Sequence, residues 1–108
     1  MNTIDSVYEL LLKMNKPVAY HHFQVDELNP APEPPFIIYV EDDTDAFYAD
    51  DKTYINPESF IVDLITSKKD KKLEQELETL FFNANIPFEK MGDDYIESEN
   101  VFQIRYLI

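Results

Sequence analysis

The stretch from Pro34 to Leu64 constrains the fold of this chain more than any other. It contains the apolar run Phe36–Glu41 and most of a second one, Glu58–Thr66, separated by the acidic segment Asp42–Pro57. Both runs are rich in β-branched and aromatic residues, which favour strands. The stretch therefore predicts two strands that flank a surface loop. The first run is nearly continuous in its apolar character, so we expect a central strand that is covered on both faces.

The rest of the chain supplies two helices and three more strands. Apolar residues recur at helical spacing near the N-terminus and again after residue 70. The first helix is predicted to be capped by Asn2 or Thr3 and ended by Pro17. A strand from Val18 to Phe23 and an extended connection over residues 24–35 follow it. The second helix is predicted to be capped by Ser67 or Asp70 and followed by Pro87, and the chain then forms a hairpin of Tyr95–Glu97 with Val101–Leu107. Gly92, the only glycine, is predicted to lie in a turn or bulge.

This order predicts one α+β domain over residues 1–108, with elements in the sequence α-β-β-β-α-β-β. Strands that follow one another in runs favour a mostly antiparallel sheet. The apolar stripes of the two helices can both pack on one face of that sheet. A chain of 108 residues, 44% of them hydrophobic, can bury such a core without disulfides, and it contains no cysteine.

Composition argues against several classes of function. The formal charge of −13 opposes binding to nucleic-acid phosphates and to anionic membranes. No apolar stretch has the length of a membrane span, and no secretory signal opens the sequence. The chain has no Gly-x-Ser-x-Gly motif, no phosphate-binding loop and no histidine beside an evident nucleophile. We therefore predict a protein that is not an enzyme and that uses no cofactor.

Two motifs suggest a metal site, and neither has the required pattern. His21 and His22 are adjacent, and neighbouring residues of a strand point to opposite faces, so the pair is not expected to share an ion. The acidic run from Glu41 to Asp45 lacks the mid-loop glycine of a calcium loop. We expect no metal site at either place.

The positive charge of the chain is concentrated at one point. Lys68, Lys69, Lys71 and Lys72, here called the lysine knob, are four of the nine basic residues, and they stand at the start of the second helix. Cations are unfavourable near a helix N-terminus, where the backbone dipole is already positive. One interpretation is that nearby Asp70 and Glu74 and the solvent compensate the knob. The other is that the knob contacts an acidic patch on a second copy, head to tail.

The acidic loop also contains the aromatic residues Phe47, Tyr48 and Tyr54. Aromatic residues on a loop either fold back onto the core or contact a partner. Their position among acids and outside the strand pattern leaves both interpretations open.

The order of several short patterns resembles that of small tail-completion proteins, or tail terminators, from long-tailed phages and prophages of Gram-positive bacteria. The matching segments, in order, are a first helix ending near Lys13, then Pro17–Tyr20, Pro34–Tyr39, Ala49-Asp50 after an aromatic residue, Phe60–Thr66 leading to Lys69-Asp70, and Tyr95–Ile104. Together they cover nearly the whole chain, and none is a catalytic motif.

The resemblance implies a structural protein of the virion, at the interface of tail and head, assembled in the cytoplasm of the host bacterium. Such proteins cap the tail tube with a ring, usually of six copies, and join it to the head connector or stopper. The implied partners are the chain itself, the major tail tube protein and the connector. Family members differ in whether they end the tail or adapt the connector, so both roles stay open.

A ring of this kind surrounds a channel through which DNA passes without specific binding. An acidic lining would repel phosphate. The candidates for lumen-facing or tube-facing positions are Asp42, Asp43, Asp45, Asp50 and Asp51. The alternative to a joining protein is an acidic phage-encoded module, or DNA mimic, that inhibits a host protein by occupying its basic surface.

Overall fold

The computed structural model describes residues 3–25, 28, 30, 32–42 and 59–108. Within these ranges the chain forms two helices and five strands in the predicted order. They are α1 (Ile4–Leu12), β1 (Val18–Tyr20), β2 (Phe36–Glu41), β3 (Phe60–Thr66), α2 (Lys71–Asn83), β4 (Glu89–Ile96) and β5 (Val101–Leu107). The α+β class and the positions of both helices are confirmed.

Each helix begins at one of the capping residues proposed from sequence. The Thr3 side chain accepts a hydrogen bond from the backbone N–H of Ser6, and the Ser6 hydroxyl in turn accepts one from the backbone of Thr3. Asp70 accepts the backbone N–H of Leu73 at 3.1 Å. Such caps satisfy amide groups that have no partner inside the helix. The local sequence therefore fixes where both helices start.

The five strands form one sheet in the order β1-β2-β3-β5-β4. The pair β1–β2 is parallel and the other three pairs are antiparallel. The sheet is therefore mostly antiparallel, as predicted. The register aligns Ile37 with Leu64 and Leu64 with Ile104, so apolar side chains of three adjacent strands share one face.

Both helices pack on that shared face, which we call the helix face. Val7 and Leu11 of α1, and Leu77 and Phe81 of α2, are at most 1% exposed. They join one apolar cluster with residues of the three central strands. Tyr106 of β5 is fully buried in this cluster. A single core therefore unites the two helices and the sheet.

The largest differences from the predicted strand boundaries are in β1 and β4. β1 ends at Tyr20 and not at Phe23, because His21 takes a left-handed conformation with φ of 71° that no regular strand accepts. β4 begins at Glu89 and not at Tyr95, so Lys90 to Asp94 is strand and not turn. The register shifts between Lys90 and Gly92, which confirms the bulge interpretation of this segment.

The prediction that Phe36–Glu41 is a central strand is confirmed, and on its second face the described side chains are partly covered. β2 is an interior strand, but α1 and α2 both lie on the helix face. On the other face Ile38 and Val40 are only half-buried. The continuous apolar run of β2 therefore reflects side chains that are buried on the helix face and half-buried on the other face.

Candidate interaction surfaces

The lysine knob lies in the turn between β3 and α2 and in the first turn of α2. Lys68, Lys71 and Lys72 are exposed and make no ion pair within the described residues. Lys69 differs, because its ammonium contacts Glu74 Oε2 at 2.9 Å and also binds Asp93. These two hydrogen bonds, the one to Asp93 first, raise the pKa of Lys69. Three cations of the knob are therefore available to a partner and one is not.

One basic residue outside the knob, Lys16, lies at the same end of the sheet. The backbone oxygen of Pro17 accepts the N–H of Ile37, which places neighbouring Lys16 beside the start of β2. In the antiparallel register the start of β2 lies beside the end of β3, which leads into the knob. The acids Glu97 and Glu99 of the β4–β5 turn are also at this end. The knob end is therefore mixed in charge but contains most of the exposed cations.

The opposite end of the sheet carries acids. β2 ends at Glu41, and β4 begins at Glu89. Asp42 follows Glu41, and its backbone N–H binds the oxygen of Ser59 at 2.8 Å. Of the acids proposed to line a channel, Asp42 alone falls in the described part of the chain, and it lies at this acidic end. The other acids and the loop aromatics lie outside the described residues; they are Asp43, Asp45, Asp50, Asp51, Phe47, Tyr48 and Tyr54.

A network of charged side chains connects α2 to the sheet. The carboxylate of Glu74 is 2% exposed and lies 2.7 Å from the ammonium of Lys90 and 2.9 Å from that of Lys69. Burial alone would raise the pKa of Glu74, but the hydrogen bonds from Lys90 and Lys69 outweigh it and lower the pKa. Glu74 therefore stays ionised inside the structure and links the helix to β4.

The same network reaches the core through Tyr106. Its hydroxyl donates a hydrogen bond of 2.6 Å to Glu78, whose carboxylate lies 3.7 Å from the ammonium of Lys90. Burial, followed by the bond to Glu78, raises the pKa of the Tyr106 phenol far above its ordinary value. This phenol is therefore a permanent donor at physiological pH. The sequence analysis proposed Glu74 as a partner of the knob, which Lys69 confirms. The links to Lys90 and Tyr106 could not be predicted, because these residues meet α2 only through its packing on β4 and β5.

Helix α1 presents an apolar surface on its exposed flank. Ile4, Tyr8 and Leu12, here called the α1 stripe, are spaced four residues apart and are 40%, 40% and 43% exposed. Residues at this spacing lie on one side of a helix. Tyr8 also stacks against Tyr39, with ring centroids 6.4 Å apart. The contact with Tyr39 therefore holds Tyr8 on the protein side, and the outer side of the stripe is exposed.

The sheet face opposite the helices is also largely apolar. Its central side chains are half-buried or buried, and they form what we call the open sheet face: Ile38, Val40, Ile61, Ile65 and Leu107. In the middle of this face the guanidinium of Arg105 donates two hydrogen bonds, of 2.9 and 3.1 Å, to the carboxylate of Asp63. The Arg105 side chain is 45% exposed and the Asp63 side chain 16%. All five apolar side chains are buried or half-buried, so they form no exposed apolar patch among the described residues.

The histidine pair is arranged differently from the expectation. The positive φ of His21 turns the chain beyond β1, and Nδ1 of His21 lies 2.9 Å from Nδ1 of His22. The argument that the two rings point apart was wrong, because it assumed a continuing strand. No group of three or more metal-ligating side chains occurs among the described residues. The prediction of no metal site stays a prediction.

A cleft of about 830 Å³ opens between the start of α1, the end of α2 and the end of β5. Its walls are mainly apolar, with Val7, Ile86 and Phe88 among them. The hydroxyl of Ser6, which lines it, is already engaged in the cap of α1. Ser59 is the other serine of the lining, and the prediction that the protein is not an enzyme stays untested.

Comparison of the chain with models of known families, with characterised proteins and with solved structures found no match. Among the described residues, no helix combines the length and the apolar character needed to cross a membrane.

Proposed function

We propose that this chain is a structural protein of a long-tailed phage or prophage, which caps the tail tube and joins it to the head connector as a ring. The observation that carries the proposal is the uneven charge of the surface. Three lysines of the knob have no ion-pair partner among the described residues of a chain whose formal charge is −13. Copies that otherwise repel one another can meet where such a basic corner faces an acidic end.

The arrangement of the charges suits a head-to-tail contact. The knob and Glu41 lie at opposite ends of the same strands, because β3 begins beside Glu41 and ends at the knob. A contact that joins unlike surfaces forms a ring when the rotation closes. The ordered resemblance to tail-completion proteins supports the same role, and it names the tail tube and the connector as neighbours.

In this role, the acidic end of the sheet would keep passing DNA from binding. Asp42 and the acidic residues that follow it in the sequence would face the channel or the tube and repel the phosphates of passing DNA. Replacing lining acids by their amides should then slow DNA ejection. Unchanged ejection by particles with Asp42→Asn together with amide replacements at Asp43 and Asp45 would remove this part of the proposal.

Electron microscopy of lysates from a phage or prophage that lacks this gene tests the proposal. Overlong or unattached tails beside filled heads are expected for a terminator. Tails of normal length beside emptied heads would place the protein on the connector side of the joint. Ordinary intact virions would overturn the proposal.

Intact virions would favour the alternative of an acidic inhibitor that mimics DNA. That alternative predicts a monomer or dimer whose affinity for a basic host protein falls as salt rises. The free lysines of the knob oppose it, because a DNA mimic gains nothing from a basic corner.

A further inference from the structure

We propose that a lysine of the knob of one copy enters a pocket beside α2 of a second copy, with its ammonium at Glu78. The inference rests on the proposed function, for which it names the acceptor of the knob. The pocket, here called the α2 pocket, has a volume of about 380 Å³ and is lined by Gln75, Glu78, Thr79, Phe82 and Phe88. Phe88 directly precedes Glu89, where β4 begins, so the pocket lies at the acidic end of the sheet.

Two phenylalanine rings form the apolar wall of the α2 pocket. Phe82 is 75% exposed and Phe88 is 37% exposed. The ring of Phe88 packs against Phe81 and Tyr106, with ring centroids 5.6 and 5.8 Å away, so the core holds it in place. Exposed rings of this kind can pack on the carbon stem of a lysine, and their faces attract an ammonium.

The charged network beside the pocket has a surplus of negative charge. It consists of three carboxylates and two ammonium groups, those of Glu74, Glu78, Asp93, Lys69 and Lys90. Three negative and two positive charges leave one formal negative charge. Glu78 is the carboxylate that lines the pocket, and its side chain is 30% exposed. Its Oε2 atom accepts the Tyr106 hydroxyl and lies 3.7 Å from the Lys90 ammonium, whereas Oε1 has no partner among the described residues.

The rest of α2 adds negative charge near the pocket. The last turn of the helix contains no basic residue, and the C-terminal end of a helix carries a partial negative charge. Glu76 and Glu89, which follow the lining residues Gln75 and Phe88, are exposed and form no ion pair within the described residues. Lys72 stands in the first turn of the same helix, about 9 Å from Glu78 along the axis. A cation for the pocket is therefore expected from another molecule.

The knob is the part of a second copy that is best suited to supply this cation. Lys71 and Lys72 stand in the first turn of α2, where the helix dipole disfavours a cation, so a carboxylate from outside stabilises them. Lys13 is exposed as well, but it caps the C-terminus of α1, where the dipole favours a cation. The knob lysines therefore gain more from a new carboxylate than Lys13 does.

The knob and the α2 pocket lie on the same side of one helix, at its two ends. Lys72, Gln75, Thr79 and Phe82 follow one another at intervals of three or four residues. A contact from the knob of one copy to the pocket of another joins unlike surfaces, as the head-to-tail arrangement of the proposed function requires. Two knobs brought together, or two pockets, would place like charges at the contact.

Carbodiimide cross-linking of the full chain tests the contact, because this reagent joins a lysine to a carboxylate with which it is in contact. Isotopically labelled and unlabelled protein are mixed in equal amounts at increasing concentration, treated and digested. Mass spectrometry then identifies linked peptides, and those that combine a labelled and an unlabelled segment come from two copies. The expected product links Lys71 or Lys72 of one copy to Glu78 of another, with a yield that rises with concentration. The link from Lys90 to Glu78 within one chain, across 3.7 Å, verifies that Glu78 reacts.

A variant of the pocket wall gives a second readout. Phe82→Ala removes an exposed ring and should lower the yield of the Glu78 link between copies several-fold. The matched control is Leu12→Ala, which removes an exposed apolar side chain from α1 and should leave the yield unchanged. Circular dichroism checks that both variants fold.

Three results would overturn the contact. One is the absence of Glu78 links between copies at the highest concentration, and another is an equal yield for Phe82→Ala and the natural chain. The third is a link to Glu78 that comes from Lys13 and not from the knob. Links from the knob to Glu41 of a second copy in place of Glu78 would overturn the pocket and leave the knob contact of the proposed function standing. The deletion lysates test the joining function itself, without reference to the pocket.

Discussion

The two helices share one sheet face but are attached to it by different chemistry. α1 is held by apolar and aromatic packing, with Val7 and Leu11 buried and Tyr8 stacked on Tyr39. α2 is held by apolar packing together with the Glu74 and Glu78 network. The difference has a functional side: α1 exposes the apolar stripe Ile4, Tyr8 and Leu12, whereas the α2 half, which also exposes Phe82, presents the lysines of the knob. The first suits contact with an apolar partner surface and the second contact with acids.

The largest expected effect tests whether the two halves share one core. Leu11→Ala in α1 and Leu77→Ala in α2 each remove a side chain that is fully buried. Each should lower the free energy of unfolding by about 2–5 kcal/mol, because the transfer energy is lost and a cavity is left. Urea denaturation followed by circular dichroism measures this. A loss below about 1 kcal/mol for either variant would mean that its helix is not packed as described.

A smaller effect on stability is expected in the α2 half alone, where the charged network lies. Glu74→Gln removes the charge that Lys69 and Lys90 share, and should cost about 1–3 kcal/mol of unfolding free energy. The loss stays below that of a fully buried pair, because the side chains of both lysines are more than one-third exposed. The matched control is Glu76→Gln on the exposed side of the same helix, which should change stability by less than about 0.5 kcal/mol. Equal effects of the two changes would contradict the network.

The network also gives the α2 half a dependence on pH. The folded-state pKa of Glu74 lies below its ordinary value of 4.5, so the folded chain releases this proton more readily than the unfolded chain. The stabilisation is therefore complete above about pH 4.5, and it is lost as the pH falls through the folded-state pKa. Thermal unfolding between pH 7 and pH 3 should show a shallower acid-side slope for Glu74→Gln than for the natural chain. Identical slopes would contradict the linkage.

The smallest expected effect concerns the open sheet face. Arg105→Ala removes a fork of hydrogen bonds to Asp63, but the guanidinium is partly exposed and solvent screens the pair. The free energy of unfolding of the isolated chain should fall by no more than about 1 kcal/mol, as measured by urea denaturation. A loss above about 2 kcal/mol would contradict the screening of the pair by solvent.

Much of the fold could be predicted because it depends on local patterns. Helical spacing of apolar residues, the caps at Thr3 and Asp70, and the apolar runs of β2 and β3 each act over a few residues. The parallel pairing of β1 could not be predicted, because it depends on where the chain returns after the proline-rich connection. The length of β4 was missed because its residues are charged, as is typical of an edge strand, which avoids pairing with other chains.

The candidate surfaces were only partly visible in the sequence. The lysine knob was visible because its residues are contiguous. The separation of Lys69 from the other lysines was not, because its partner Asp93 is distant in the chain and meets it only in the folded sheet. The open sheet face was hidden for a related reason: alternate residues of β2 and β3 are equally apolar, and only the placement of both helices decides which face is left open.

Complementation of the deletion lysates with knob variants tests the central claim most directly. Natural protein and a Lys68→Arg, Lys71→Arg, Lys72→Arg variant, which keeps the charge, should both restore tails of uniform length joined to filled heads. The variant Lys68→Glu, Lys71→Glu, Lys72→Glu should fold normally by circular dichroism and leave tails overlong or unattached in electron micrographs. Full restoration of virions by the charge-reversed variant would contradict the claim that the lysine knob joins neighbouring copies.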